Sequence, residues 1–307
     1  MKKSQTVFLT TIFPASEGFL HDFFRSLQSQ TEGDFDVLVI NDGVLGFDEY
    51  KGQYADLNII EEISTASPAK NREFGIIRSI ELGYKNIIFG DSDDFFSKNR
   101  VAESIEGLKD NDIVVNELTI FSLQNRIDNF FAKHLKSIST AQDNILNGNI
   151  FGFSNIAVCS SIIKENLKFD DSLIAVDWFF ITILLLGQKP QIKFLGNVQT
   201  FYRQYGNNTI GMSLLLTVEK LDLGLSVKYI HYSLLTEHCQ RNNLEKYSVL
   251  FENKLIEIQK LKEELINSSF KEKYINVINT NFPEIFSGWW SEILIYEDYL
   301  RYEDSDQ

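Results

Sequence analysis

The stretch Asn86-Ile-Ile-Phe-Gly-Asp91-Ser-Asp93-Asp94 sets an apolar run directly against three carboxylates. The apolar run is typical of a strand that is buried on both faces, as in a parallel sheet. Ligands of open α/β sheets bind outside the carboxyl ends of the strands, which is where these acids begin. Because three neighbouring carboxylates repel one another, the cluster favours a divalent cation with oxygen ligands. A solvated, Asp-rich turn is the alternative interpretation.

Length and charge narrow the class of protein. The chain has 307 residues and a formal net charge of −14, so it can form one large domain or two smaller ones. The negative charge argues against non-specific binding to nucleic acid and against electrostatic docking on anionic lipid. Cys159 and Cys239 lie in apolar segments, and we expect buried thiols in a cytoplasmic protein. The longest apolar run, 178–186, is too short to span a bilayer.

Strand and helix patterns alternate over the first two thirds of the chain. Helices are expected at 19–30, 71–82 and 176–186. Strands are expected at 7–13, 36–41, 57–63, 86–89, 113–121, 155–159 and 191–202. Such alternation predicts an α/β fold with a doubly wound, mostly parallel sheet.

The pattern becomes helical after Gly211. Long helices are expected over 213–240 and 249–266, the second with an apolar stripe that begins at Phe251. We therefore predict two domains, an α/β domain over 1–212 and a helical region over 213–307 that packs on it. For the aromatic residues near the C-terminus, packing against these helices is favoured over contact with a membrane interface.

Acidic residues recur where predicted elements end or begin. Asp42 follows the second strand, and Asp91–Asp94 follow the fourth, so both are expected at one edge of a parallel sheet. A third acid, Asp177, opens a buried helix. An acid at that position is commonly a cap or a partner of the helix dipole. Beside a metal cluster it becomes a candidate general base.

Six motifs in chain order resemble the family 2 glycosyltransferases, which have the GT-A fold. The resemblance covers about residues 5–211, and it implies that the predicted domain over 1–212 is a GT-A nucleotide-sugar transferase domain. The motifs are Ser26-Leu-Gln-Ser-Gln30-Thr31, Asp36-Val-Leu-Val-Ile-Asn41-Asp42-Gly43, Ser67-Pro-Ala69-Lys70-Asn71, Phe89-Gly-Asp91-Ser-Asp93-Asp94, the segment from Phe169-Asp170-Asp171 to Val176-Asp177-Trp178, and Tyr202-Arg203. The chain has Asn41, Lys70 and Val176 where the family pattern has Asp, Arg and an acid.

The resemblance implies a set of nucleotide-binding residues. Asp42 would hydrogen-bond the base of a sugar nucleotide, and Lys70 and Asn71 would lie near the nucleotide. Asp91 would contact the ribose or the metal shell. Arg203 is a candidate for the diphosphate, with an ion pair at the strand end as the alternative.

The resemblance also implies the metal ligands and the base. Asp93 would hold Mg²⁺ or Mn²⁺ against the diphosphate, with Asp91 and Asp94 as further candidate ligands. Asp177 would deprotonate the acceptor hydroxyl, which then attacks the anomeric carbon and inverts it. A divalent ion offsets the charge of the departing nucleoside diphosphate, and a positioned carboxylate activates the hydroxyl.

The function expected from the sequence is an inverting, metal-dependent glycosyltransferase. It would move a sugar from a nucleoside-diphosphate donor, with a UDP-sugar favoured, to a glycan or lipid-linked acceptor in surface polysaccharide synthesis. We expect it in the cytoplasm or at the inner face of the membrane. A degenerate GT-A fold that binds a nucleotide or glycan without catalysis is the alternative. A sugar nucleotidyltransferase is a second alternative function, although residues 13–18 lack the Gly-rich, basic loop that such an enzyme would need.

Overall fold

The computed structural model describes residues 4–134, 144–164, 166–205 and 215–303. The chain divides into two compact units. The first unit comprises Met1–Lys133, Phe151–Asp171 and Leu184–Gly211, and the second comprises His134–Ile150, Ser172–Ile183 and Met212–Gln307. The domain boundary predicted between residues 212 and 213 lies outside the described residues.

The first unit contains one mixed sheet, with nine strands in the described part of the chain. The strands are β1 (Thr6–Ile12), β2 (Asp36–Asn41), β3 (Asn58–Ile63), β4 (Asn86–Phe89), β5 (Phe95–Phe96), β6 (Ile113–Phe121), β7 (Arg126–Ile127), β8 (Ile156–Cys159) and β9 (Ile192–Arg203). Their order is β3-β2-β1-β4-β8-β6-β9-β5, with β7 paired to β6.

The first four predicted strands pair in parallel, as expected. Strand β8 joins antiparallel to both β4 and β6, whereas β6 and β9 are parallel. All residues of β1 and β2 are buried, which matches their apolar sequences and the presence of cover on both faces of the sheet. The predicted α/β class is therefore confirmed.

Five described helices belong to the first unit. They are α1 (Leu20–Gln28), α2 (Phe47–Gln53), α3 (Pro68–Glu81), α4 (Arg100–Gly107) and α5 (Phe130–His134). Helix α1 buries the predicted apolar face, including Phe23 and Phe24. Helix α3 begins at Ser67, whose hydroxyl accepts a hydrogen bond from the Lys70 N–H at 3.3 Å. Gly83, at φ +80°, lies in the left-handed region where α3 ends.

The second unit is helical in its described residues. Helix α6 (Val176–Gln188) begins there, and α7 (Val218–Arg241), α8 (Glu245–Glu264), α9 (Ser268–Thr280), α10 (Phe282–Ile285) and α11 (Tyr296–Glu303) follow. Phe251 of the predicted stripe is buried and stacks on Tyr232 at 5.9 Å between ring centroids. Near the C-terminus, Tyr299 packs on Tyr274 at 5.0 Å. Within the described ranges, no helix has both the length and the apolar character needed to cross a bilayer.

Candidate functional site

The acidic turn after β4 is tightly constrained by its neighbours. The Asp94 N–H donates to the Asp91 carbonyl at 3.1 Å and closes the turn. Gly90 precedes the turn, and a Cβ at this position would lie 2.4 Å from a ring carbon of Phe8. The fully buried Arg100 donates to the Phe89 carbonyl at 3.4 Å. Burial lowers the pKa of Arg100 to about 9.

Asp94 is the most buried acid of the turn, with 1% of its surface exposed. One carboxylate oxygen accepts the Arg203 N–H at 2.8 Å, and the other accepts the Ser154 hydroxyl. Burial, followed by repulsion from Asp93 and Asp91, raises the pKa of Asp94 well above its usual range. Because both oxygens already accept hydrogen bonds, Asp94 ties the turn to β9 and suits a structural role better than the predicted metal coordination.

Asp93 is half-buried and has one side-chain partner among the described residues. The Tyr205 hydroxyl donates to its Oδ2 at 2.7 Å. Burial, and then the neighbouring Asp91 carboxylate, raise the pKa of Asp93. Burial and the acidic turn also raise the pKa of Tyr205. A cation close to Asp93 would relieve the repulsion that raises its pKa.

Asp91 has an ion-pair partner that the sequence analysis missed. Arg72, one residue after the Lys70-Asn71 pair on α3, contacts the Asp91 carboxylate through Nη2. The guanidinium carbon of Arg72 lies 5.3 Å from the centre of the Phe153 ring. Its Nη1 is buried without a hydrogen-bond partner in the described structure. A buried guanidinium N–H that lacks a hydrogen-bond acceptor is suited to an anionic ligand.

Arg203, at the end of β9, makes the ion pair given as the alternative to a diphosphate contact. Its Nη2 lies 2.7 Å from Oδ2 of Asp22, which the sequence analysis did not single out. Its Nε donates to the Asp93 carbonyl at 2.9 Å. Its guanidinium carbon lies 4.6 Å from the centre of the Phe19 ring and 4.9 Å from that of Phe121. These contacts fix Arg203 at the acidic turn.

The other predicted nucleotide contacts differ in their surroundings. Lys70 pairs with Glu73 at 3.0 Å. Asn71 is fully buried, and its side chain bonds Ser64 at 2.7 Å and the Ala66 carbonyl at 3.2 Å. Asn71 therefore holds the loop that leads into α3, and its amide is already satisfied.

Asp42 lies at the same edge of the sheet as the acidic turn. It directly follows β2, and β1 lies between β2 and β4 in the sheet. The Asp42 N–H donates to the Ile12 carbonyl at 2.8 Å. The preceding residue, Asn41, donates to Glu61 at 2.7 Å, so an Asp there would face a carboxylate. The departure from the family pattern at Asn41 thus has a local structural reason.

Asp177 belongs to the second unit, in the first turn of α6. Its Oδ1 accepts the Trp178 N–H at 2.7 Å. Trp178 is fully buried, donates to the Ile145 carbonyl at 2.6 Å and stacks on His231 with ring centroids 3.8 Å apart. The helix start that carries Asp177 is therefore anchored by an aromatic side chain.

The described ranges do not offer a metal site made of protein side chains alone. Among the residues that the structure describes, no group of three or more His, Cys, Asp or Glu side chains is arranged to hold a metal ion. Magnesium, however, commonly binds one or two carboxylates and takes its remaining ligands from water and substrate phosphates. Asp93 and Asp91 fit that smaller donor set, in which a diphosphate supplies further oxygens.

Sequence comparisons find no match to the chain, whereas structural comparisons find proteins of similar fold. No protein-family model and no curated protein matches the chain. The structure resembles that of S. aureus TarS 1–349 in complex with UDP-GlcNAc, with a TM-score of 0.56 and 14% identity over 98% of this chain and 91% of that one. Against the longer TarS structure the TM-score is 0.53, and the chain spans only 39% of that protein's length.

Two further structures extend the comparison. The mannosyltransferase PcManGT from Pyrobaculum calidifontis, in complex with GDP-Man and Mn²⁺, has a TM-score of 0.51 and 10% identity over 76% of this chain and 64% of its own. GalNAc-T7 with UDP, GalNAc and Mn²⁺ also has a TM-score of 0.51 and 10% identity. The match covers 82% of this chain and 55% of GalNAc-T7. The chain has the GT-A fold. The fold class predicted from the sequence is confirmed, and the sequence resemblance has a structural counterpart.

Proposed function

We propose that this GT-A-fold chain is a glycosyltransferase that uses a nucleoside-diphosphate sugar, depends on a divalent cation and inverts the anomeric carbon. The observation that carries the proposal is the acidic turn after β4. There, Asp91 and Asp93 are held together at the carboxyl edge of the sheet although burial and mutual repulsion raise the pKa of Asp93. Keeping such an arrangement costs stability, which a bound cation and diphosphate would offset.

The donor is bound by residues of the first unit in this proposal. Asp93 and Asp91 hold Mg²⁺ or Mn²⁺, which offsets the negative charge of the diphosphate leaving group when it is bound. The unpaired Nη1 of Arg72 donates to a diphosphate oxygen. Asp42 contacts the base, and Lys70 lies near the nucleotide. A UDP-sugar is the favoured donor, and TarS binds UDP-GlcNAc in the structure described above.

The acceptor is activated by Asp177 in this proposal. Its carboxylate takes the proton of a glycan or lipid-linked hydroxyl, and the hydroxyl oxygen forms a bond to the anomeric carbon. The bond from that carbon to the diphosphate oxygen breaks on the opposite side, which gives inversion. The anchored start of α6 supports this role, since a general base needs a fixed position. Surface polysaccharide synthesis is the proposed setting, and 213–307 supplies no catalytic group.

One observation favours the alternative of a non-catalytic binder. The Arg72–Asp91 ion pair places a protein cation on a carboxylate that the metal hypothesis assigns to Mg²⁺ or Mn²⁺. If Arg72 replaces the metal, the fold would bind a nucleotide without the ion.

Calorimetric titration separates the two functions. UDP, GDP and their sugar conjugates are titrated with Mn²⁺ and with a chelator, and each donor is also incubated with Mn²⁺ to detect its slow hydrolysis. We expect affinity to fall at least tenfold in chelator and this metal dependence to vanish in Asp93→Ala, while the exposed Asp110→Ala control keeps it. Equal affinity with and without metal, with no donor hydrolysis, would favour the non-catalytic binder.

A further inference from the structure

A cavity of about 340 Å³ lies within the second unit. This volume is within the range of small-molecule sites in proteins. Its wall combines aliphatic side chains with polar ones, which are Asn144, Asn147, Lys228, Ser287, Ser291, Asp298, Arg301 and Tyr302. The cavity is formed by residues that have no part in the proposed donor site.

Lys228 is the most unusual group in the cavity lining, because only 2% of its surface is exposed. Its ammonium donates to the Ile293 carbonyl at 2.6 Å. An ammonium has three N–H donors, and this carbonyl is its one acceptor among the described residues. No described carboxylate lies within ion-pair distance of Lys228, although buried charges are normally paired. The cavity thus contains a buried cation that lacks an anionic partner.

The charges around Lys228 do not supply that partner. Asp298, the one acid in the described cavity wall, pairs with Arg301 at 3.1 Å. Lys254 bonds the side chain of Asn147. Burial, and then the neighbouring Lys254, lower the pKa of Lys228 to about 7, and Glu292 and Asp298 act in the opposite direction. The described cavity wall thus contains two basic side chains, Lys228 and Arg301, and one acidic side chain, Asp298, although the whole chain is strongly acidic.

We propose that this cavity binds a small hydroxylated anion of the sugar-phosphate class. The phosphate accepts hydrogen bonds from Lys228 and Arg301, which supply the buried and the more exposed cation of the wall. Asn144, Asn147 and Ser287 offer amide and hydroxyl groups that suit sugar hydroxyls. The proposed ligand needs both a phosphate and hydroxyl groups. The cations alone would bind any small anion, and the amides alone would bind any polyol.

Calorimetry with glucose 6-phosphate, glucose and inorganic phosphate tests the proposal. We expect glucose 6-phosphate to bind at least tenfold more tightly than either of the other two. Lys228→Met, which keeps the side-chain length, should weaken glucose 6-phosphate at least tenfold. Lys246→Met, an exposed lysine of the same unit, serves as the matched control and should bind normally. Arg301→Gln gives a second test on an exposed side chain, should Lys228→Met not fold.

Competition and proton uptake locate the ligand. Binding of glucose 6-phosphate should persist at saturating UDP and Mn²⁺ and in Asp93→Ala, since the cavity is independent of the donor site. Titrations at pH 8 in buffers of different ionisation enthalpy should show proton uptake in the wild type and not in Lys228→Met, because an anion favours the charged amine. Displacement by UDP, equal affinity for inorganic phosphate, or unchanged binding in both Lys228→Met and Arg301→Gln would each overturn the proposal.

Discussion

Each unit holds one cluster of like charges removed from water, and the two clusters have opposite signs. The first holds Asp91, Asp93 and Asp94 in one turn, and burial raises the pKa of both Asp93 and Asp94. The second buries Lys228 and Lys254, and burial lowers the pKa of both amines. In each unit, removal from water disfavours the charged form of these groups. A bound cation would relieve the first cluster, and a bound anion would relieve the second.

The two clusters differ in how many hydrogen-bond and ion-pair partners the protein supplies to their charged groups. In the first unit, Asp94 accepts two hydrogen bonds and Asp91 has the guanidinium of Arg72. In the second unit, one backbone carbonyl is the acceptor that the described structure provides for Lys228. The acidic turn is therefore organised in advance for its ligand, whereas Lys228 carries a larger uncompensated cost.

The largest expected effect concerns Asp177 of the second unit, which is the general base in the proposed function. Asp177→Asn should lower turnover a hundredfold or more, because a general base contributes on that scale. Donor affinity and the melting temperature should stay nearly unchanged, since Asn can still accept the Trp178 N–H. Parallel measurement of turnover, donor binding and thermal melting checks this.

Glu245→Gln is the matched control for Asp177. Glu245 is an exposed acid in the first turn of α8, so its removal tests a helix-dipole effect without the proposed chemistry. An Asp177→Asn protein that melts early but keeps full activity per folded molecule would show that Asp177 is a structural cap.

A matched pair of glycine substitutions compares packing in the two units. A Cβ at Gly90 would lie 2.4 Å from a Phe8 ring carbon, and one at Gly224 would lie 2.4 Å from Cγ1 of Ile293. Gly90→Ala and Gly224→Ala should each lower the free energy of unfolding by about 1–3 kcal/mol, the usual cost of overpacking. Urea denaturation measures both.

Ligand responses of the same pair sharpen the comparison. Gly90→Ala should weaken donor binding, since Gly90 adjoins the acidic turn. Gly224→Ala should weaken glucose 6-phosphate, since Ile293 supplies the carbonyl that Lys228 bonds. Gly83→Ala, where no atom lies near the added Cβ, separates backbone strain from crowding. If each glycine variant weakened both ligands equally, the two sites would not be independent.

Sequence patterns predicted the fold where one local signal dominates. The predicted strands 36–41, 86–89 and 113–121 have the same bounds as β2, β4 and β6. In the first two, a contiguous apolar run leaves little choice of structure. Strand β5 was not predicted from the sequence. Its two residues form a strand only because they pair with β9, about a hundred residues later in the chain. The antiparallel direction of β8 likewise depends on non-local pairing.

The structure shows contacts around the predicted site residues that the sequence does not reveal. The acidic turn follows β4, as expected, yet nothing in the local sequence shows that Ser154 and Arg203 occupy both oxygens of Asp94. Asn71 was expected near the nucleotide, and the structure buries its amide in the loop before α3. Arg72 had a usable signal, because it adjoins the predicted Lys70-Asn71 pair at the start of the same helix.

Arg72→Gln tests how much of the negative charge of the acidic turn is offset by the protein's own cation. We expect about a tenfold loss of donor affinity, the scale of one charge-assisted hydrogen bond. The remaining affinity should depend more steeply on Mn²⁺, because the turn loses its own cation. Arg78→Gln is the control on the same helix, since Arg78 pairs with Glu62 at 2.7 Å. Unchanged affinity and metal dependence in Arg72→Gln would exclude it from the donor site.

The last expected effect is the pH dependence that Lys228 gives to stability. Its pKa is about 7 in the folded chain and near its ordinary 10.5 when unfolded. Between these values the unfolded chain binds more protons at this group, so stability rises with pH, by at most about 1.4 kcal/mol per unit. Below about pH 7 both states are protonated, and the full cost of the buried charge remains.

Urea denaturation at pH 7.5 and 9.5 measures this effect as a difference between proteins. The stability of the wild type relative to Lys228→Met should increase over this interval, because the shared titrations of other groups cancel in the comparison. Lys246→Met should follow the wild type. Glucose 6-phosphate should flatten the rise, since a bound anion keeps Lys228 charged in the folded chain. Identical pH profiles for the wild type and Lys228→Met would mean that Lys228 is not a strained buried cation, and the contrast between the two units would then rest on the acidic turn alone.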